Sequence, residues 1–120
     1  MKFLIPAIIG LVAFLHLYFL WFEMFKWTSM GPKIFRGFPK ELFGKTKAMA
    51  ANQGLYNGFL AAGLIWTFFI QDPNMKWQVS MFFLSCVLVA GLYGAYSVSK
   101  KIFWVQGFPA LAGMLLLLFS

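Results

Sequence analysis

Long apolar runs separated by short polar stretches dominate this chain. Four of the runs approach or reach the roughly 20 helical residues that are needed to cross the hydrocarbon core of a bilayer. They predict helices over about residues 3–25, 48–70, 77–98 and 102–119. The pattern therefore predicts an all-α integral membrane protein, in which residues 1–120 form a single domain built as a bundle of four transmembrane helices.

Three polar connections join these predicted helices. The first, at about residues 26–47, mixes glycine and proline with basic residues, which is typical of an irregular or short-helical surface loop. The second, Gln71–Lys76, contains Asp72 followed by Pro73, a combination that favours a turn. The third, around Ser99–Lys101, is so short that the third and fourth helices must form an antiparallel hairpin.

Composition excludes an ordinary soluble domain. The chain is 62% hydrophobic and 11% charged, whereas about a quarter of the residues in soluble domains are charged. Its acids are Glu23, Glu41 and Asp72, and it has one histidine and one cysteine, Cys86. This donor set is too small for a disulfide framework, a thiolate metal site or a dinuclear metal centre, so we predict no metal site.

The distribution of the basic residues predicts the orientation in the membrane. Eight of them fall in the first and third connections: Lys26, Lys33, Arg36, Lys40, Lys45, Lys47, Lys100 and Lys101. Lys2 and Lys76 lie on the other side. Positive loops stay in the cytoplasm, so both termini are predicted outside and residues 26–47 form a basic cytoplasmic loop. We expect this loop to bind anionic lipid headgroups of the bilayer and not nucleic acid.

Polar side chains inside the predicted spans are the candidate functional residues, because such groups are costly in hydrocarbon without a partner. His16 and Glu23 are seven residues apart, so they share one face of the first helix about 10 Å from each other. We take them as candidate catalytic proton carriers. The candidate ligand-binding residues are the amides and tyrosines of the other helices: Asn52, Gln53, Tyr56, Asn57, Tyr93 and Gln106. Gly54 and Gly58 lie beside the second-helix group and allow close packing.

Depth along the helices places these groups in the cytoplasmic half of the membrane and predicts a polar pocket open to that side. We expect His16 to lie near Asn57 or Tyr56 in this pocket. We expect Glu23 near one of the amides of Asn52, Gln53 and Gln106. The pocket would bind a lipophilic small molecule or cofactor. If the protein is an enzyme, it would also transform this molecule, with His16 or Glu23 transferring a proton.

Several alternatives stay open from the residues alone. His16 is also suited to be an axial haem ligand, although no haem motif surrounds it. One acid in the first helix fits a proton-coupled exporter of the small-multidrug type, but Glu23 lies near a helix end. A further functional class is a non-catalytic accessory subunit. Its amides would only form hydrogen bonds between helices, each of which stabilises the bundle by about 0.6 kcal/mol. A bundle of this size favours homo-oligomers, with Gly91–Gly94 as a candidate contact face. Reaction, ligand and enzymatic character are not fixed by the sequence.

Three stretches carry a resemblance to a known family. They are HLYFLWFEMFKW from residue 16, ANQGLYNGFLAAG over residues 51–63, and VQGFPALAG from residue 105. With these stretches the chain resembles the DUF1304 family of small bacterial membrane proteins over nearly its whole length. The resemblance implies a multi-pass protein of the bacterial cytoplasmic (inner) membrane. It also implies that His16, Glu23, Asn52, Gln53, Tyr56, Asn57 and Gln106 are motif positions, but it carries no assigned function.

Thiol labelling tests the predicted orientation. Cysteines at Lys40 and Lys101 should be shielded from a membrane-impermeant thiol reagent in intact cells, because both positions are predicted to be cytoplasmic. A cysteine at Asn74 should be labelled, since the second connection is predicted to lie outside. Cell lysis is the control, and it should make all three positions reactive. The reverse pattern in intact cells would contradict the orientation and, with it, the cytoplasm-facing pocket.

Overall fold

The computed structural model describes residues 2–120, and in this range it contains six α-helices and no strand, which confirms the all-α prediction. The helices are α1 (Leu4–Phe25), α2 (Trp27–Ile34), α3 (Lys40–Lys45), α4 (Lys47–Trp66), α5 (Pro73–Ser97) and α6 (Phe108–Leu118). A 3₁₀ turn (Thr67–Phe69) follows α4, and a π-helical turn (Phe103–Gly107) precedes α6. Met1, the first residue of the predicted domain, lies outside the described range.

The start of α5 differs from the sequence expectation, and local chemistry explains the difference. Helix α5 begins at Pro73, four residues before its predicted start near residue 77, because the Asp72 carboxylate caps it. The Met75 amide donates to Asp72 Oδ2 at 2.8 Å, and Pro73 occupies the first turn, where its missing N–H is no loss. The predicted basic loop contains two short helices, α2 and α3.

The described chain packs as two compact units, one comprising the chain up to Leu15 with Leu60–Ser120 and the other comprising His16–Phe59. The first unit has an aliphatic core to which four helices contribute. Its buried residues are Ile9, Val12 and Ala13 of α1, Leu64 of α4, Leu84 and Val87 of α5, and Ala110 and Leu117 of α6. Helices α5 and α6 run antiparallel, since the Trp77 indole at the start of α5 donates to the Leu117 carbonyl at 3.0 Å.

The π-helical turn brings two backbones of the first unit into close contact. Within it the Phe108 amide donates to the Phe103 carbonyl, five residues earlier, and Pro109 follows with no N–H to donate. The turn lies against α5 at Gly91, where an added Cβ would be 2.6 Å from Gly107 N and 2.7 Å from Gly107 Cα. Only glycine at position 91 permits this approach.

In the second unit, aromatic rings pack α2 against α3. The Trp27 and Phe43 ring centroids are 5.0 Å apart, and Phe38 meets Phe43 edge-on at 4.9 Å. The Trp27 indole N–H also donates to Thr46 Oγ1 at 3.0 Å. Gly31 of α2 packs directly on the Phe43 ring, which would collide with any Cβ at this position. These contacts make the segment after α1 a packed structure, whereas the sequence predicts an irregular or short-helical surface loop.

Two helices of the described range have the length and composition to span a membrane. Helices α1 and α5 are each long and apolar enough to cross a bilayer, and Phe103–Leu118 forms a shorter apolar helical segment. Much of this apolar surface is exposed, as Phe14, Phe82 and Leu92 illustrate at 65%, 61% and 51% exposure. Such a surface is typical of contact with lipid or with other protein.

Replacement of Gly91 by alanine tests the packing of the first unit. We expect Gly91→Ala to lower the free energy of unfolding by about 1–3 kcal/mol, as overpacking does, because the new methyl group meets backbone atoms that have no rotamer to change. The measurement is thermal unfolding of the purified chain in detergent.

The matched control is Gly10→Ala in α1, where the nearest atom to an added Cβ is Phe68 Cζ at 3.9 Å. This change should be neutral or stabilise the chain by about 0.5–1 kcal/mol, since alanine is the better helix former. Equal melting temperatures for the two variants would contradict the close contact at Gly91.

Candidate functional site

A hydrogen bond between a carboxylate and an amide joins α1 to α4 in the second unit. The Asn57 side chain donates through Nδ2 to Glu23 Oε1 at 2.5 Å, across 34 residues of sequence. Both side chains are half-buried. A partly buried polar group without a partner is costly, so this contact helps to specify which faces of the two helices meet.

Two glycines on α4 let it approach α1 closely enough for this hydrogen bond to form. A Cβ on Gly54 would lie 2.9 Å from Met24 Cγ and 3.0 Å from Glu23 Cβ. It would also lie 3.2 Å from the Leu20 carbonyl oxygen, a backbone atom of α1. One turn later, Gly58 packs on the Leu20 side chain. The two helices thus approach through small residues, which is how membrane helices bring their backbones together.

Glu23 has an amide partner and no cationic one in the described chain. The nearest base in sequence, Lys26, places its Nζ 5.8 Å from the centre of the Trp21 ring, in a cation–π contact. No ion pair involving Glu23 occurs among residues 2–120. The carboxylate is therefore held by a neutral donor, an arrangement that leaves the site able to accept either a proton or a further hydrogen-bond donor.

His16 lies two turns before Glu23 on α1 and is buried, with 1% of its surface exposed. Its ring meets the Phe19 ring edge-on, with centroids 5.1 Å apart. A haem would need an open face beside this imidazole, so the packing around His16 does not favour a haem ligand. The residues of the described range contain no group of three or more histidine, cysteine, aspartate and glutamate side chains that would bind a metal ion.

The other predicted ligand-binding residues lie at the protein surface or in the first unit. Asn52, Gln53 and Tyr56 are exposed on α4. Tyr93, on α5, is 69% exposed, and Gln106 is half-buried in the π-helical turn. The structure brings Glu23 together with Asn57, whereas the sequence led us to expect Asn52, Gln53 or Gln106 near Glu23 and Asn57 or Tyr56 near His16.

Two surface depressions are present, and neither is lined by Glu23 or Asn57. An open apolar groove of about 550 Å³ runs along α5 and is lined by Phe82, Ser85, Cys86, Val89, Ala90 and Tyr93. A second depression, of about 420 Å³, lies on α2, α3 and the turn between them. We call it the basic depression; it is lined by Ser29, Pro32, Lys33, Arg36, Phe38 and Lys40.

The basic depression was not anticipated as a site, although the sequence contains a signal for it. Ser29, Lys33, Arg36 and Lys40 are spaced by four, three and four residues, which is the spacing of one face of a helix. Sequence analysis assigned these cations to a lipid-facing loop and did not expect the packed aromatic rings that shape a cavity there.

Comparison with known proteins identifies the family. Residues 10–118 match the family model described as "Protein of unknown function (DUF1304)", and the chain belongs to this family, as the resemblance implied. It is similar to the "Uncharacterized protein YpaA" of Lactococcus lactis subsp. lactis (strain IL1403), with 28% identity over 107 residues that cover 88% of each chain. No solved structure matches it significantly.

Proposed function

We propose that this member of the DUF1304 family is a multi-pass protein of the bacterial inner membrane whose α1–α4 pair binds the polar group of a lipophilic small molecule. The observation that carries the proposal is the hydrogen bond from Asn57 to Glu23. An acid and an amide on otherwise apolar helices are costly in a bilayer, and such groups are retained mainly at functional sites.

Helix lengths support the four-span arrangement. Helix α1 has 22 residues, α4 has 20 and α5 has 25, so each reaches about 30 Å or more at 1.5 Å per residue. The fourth span is the segment Phe103–Leu118, which is shorter and requires local thinning of the bilayer. With the basic connection at about residues 26–47 in the cytoplasm, both termini are outside.

The chemistry of the proposed site follows from its unused hydrogen-bonding capacity. Asn57 offers a second N–H and a carbonyl oxygen beyond its bond to Glu23, and the second carboxylate oxygen of Glu23 is a further acceptor. Gln53, one turn before Asn57 on α4, and Tyr56, the residue next to Asn57, are both exposed. A hydroxyl, carbonyl or amine of a lipophilic ligand would bind among these groups while its apolar part stays in the leaflet.

Any chemical step at this site would be proton transfer. Glu23 is the group in contact with Asn57 and with the proposed ligand, and His16 is a second proton carrier two turns along α1. The exporter alternative is less favoured, because Glu23 is only two residues from the end of α1 and a coupling carboxylate is needed near the middle of the membrane. In an accessory subunit, the same pair would join helices and bind nothing.

Identification of molecules that copurify with the chain tests the proposal. The chain is purified in mild detergent, extracted with organic solvent and analysed by mass spectrometry, together with Glu23→Gln and Asn57→Ala. We expect one defined lipophilic species with the unaltered chain, reduced at least fivefold in both variants, because each variant removes one of the two binding groups.

The control is Glu41→Gln, which removes an exposed carboxylate of α3 without touching the site. It should retain the species in full. The same species in equal amounts in all folded variants, or no defined species in any of them, would contradict ligand binding at Glu23 and favour the accessory role.

A further inference from the structure

We propose that the basic depression binds a phosphate group, of the kind that anionic phospholipid headgroups carry. This site is separate from the α1–α4 pair and does not depend on the function proposed for it. It lies entirely within the second unit, on α2, α3 and the turn that joins them.

Three cationic side chains and one serine line the depression. Ser29 and Lys33 lie one turn apart on α2, Arg36 lies in the turn, and Lys40 begins α3. Arg36 donates through Nε to the Lys33 carbonyl at 3.4 Å, which directs the guanidinium and leaves its two terminal nitrogens for an anion. A planar fork of this type matches two phosphate oxygens, and the lysines add point charges.

These cations are not neutralised by the protein. None of Lys33, Arg36 and Lys40 takes part in an ion pair within the range 2–120. Glu41, the acid next to Lys40 in sequence, is exposed and does not line the depression. Three unpaired cations around one cavity repel one another, and an anion bound between them removes this repulsion.

Packed aromatic side chains form the base of the depression, which distinguishes it from a flexible basic tail. Phe38 lines the depression and packs edge-on against Phe43, which is 1% exposed. Trp27 packs on Phe43 and donates to Thr46 Oγ1, whose hydroxyl in turn donates to the Leu42 carbonyl at 2.7 Å. The turn that bears Arg36 therefore lies on a packed aromatic base, which fixes the backbone positions from which the cationic side chains extend.

The size and lining of the depression favour a substituted phosphate. A volume of about 420 Å³ exceeds what a bare phosphate fills and lies within the usual range for organic ligands. Pro32 and Phe38 add apolar surface beside the cations, suited to the carbon atoms of a glycerophosphate. The chemistry required by the site is a phosphate with an organic substituent, and a membrane supplies it as the headgroup of an anionic lipid.

Lipid binding to matched charge variants tests this proposal. The full chain in detergent is titrated with dioleoylphosphatidylglycerol, and bound lipid is counted by native mass spectrometry. Lys33→Gln with Arg36→Gln should weaken the affinity at least fivefold, because two of the three cations are lost. Lys100→Gln with Lys101→Gln removes the same charge from an exposed turn elsewhere and should change the affinity less than twofold.

A conservative variant separates a specific site from charge alone. Arg36→Lys keeps the charge but loses the planar fork, and we expect it to weaken binding two- to fivefold. Equal weakening by the two double variants, or no weakening by the Lys33 and Arg36 pair, would overturn the proposal. Unchanged melting temperatures show that each variant is folded.

Competition identifies the source of the phosphate group. Inorganic phosphate and dioleoylphosphatidylcholine are added separately to the chain loaded with phosphatidylglycerol. Failure of both to displace it, with binding still dependent on Arg36, supports an anionic lipid headgroup. Displacement by inorganic phosphate at millimolar concentration supports a site for soluble phosphate compounds. Displacement by phosphatidylcholine at equal concentration overturns the role of the anionic headgroup.

Discussion

The hydrogen bond between the Asn57 amide and the Glu23 carboxylate is the interaction on which the proposed site depends. Helix α1 is otherwise almost entirely apolar, so a carboxylate on it requires a donor from another segment. Asn57 supplies this donor, and Gly54 and Gly58 let α4 approach closely enough for the bond to form. The polar contact selects the helix faces, and the small residues set their separation.

Small residues have the same role in the first unit. At Gly91, α5 meets the backbone of the π-helical turn, and Gly113 of α6 lies between Leu84 and Ile8. In a bilayer, lipid tails are as apolar as leucine, so helices gain little by burying apolar surface against each other and depend on close packing instead. Glycine at these contacts thus provides the close packing that the helices of the proposed membrane bundle need.

The sequence could predict what depends on local pattern, and it was less informative where distant residues meet. Apolar run length predicts the all-α fold, and the rule that polar groups in apolar helices need partners selects both Glu23 and Asn57. Helical spacing defines which residues share a face but not how the next helix is rotated, so the bond from Asn57 to Glu23 could not be singled out among the candidate amides. The basic depression could not be predicted from the sequence, because Trp27, Phe38 and Phe43 come into contact only in the folded chain.

A double-mutant cycle between Glu23 and Asn57 tests most directly whether the two side chains act as one unit. The free energy of unfolding in detergent is measured for the unaltered chain, for Glu23→Ala, for Asn57→Ala and for the double variant. A direct hydrogen bond predicts a coupling energy of about 0.6–1.7 kcal/mol, the range found for such bonds between membrane helices. Strictly additive effects, with a coupling energy of zero, would contradict the contact and the site proposed around it.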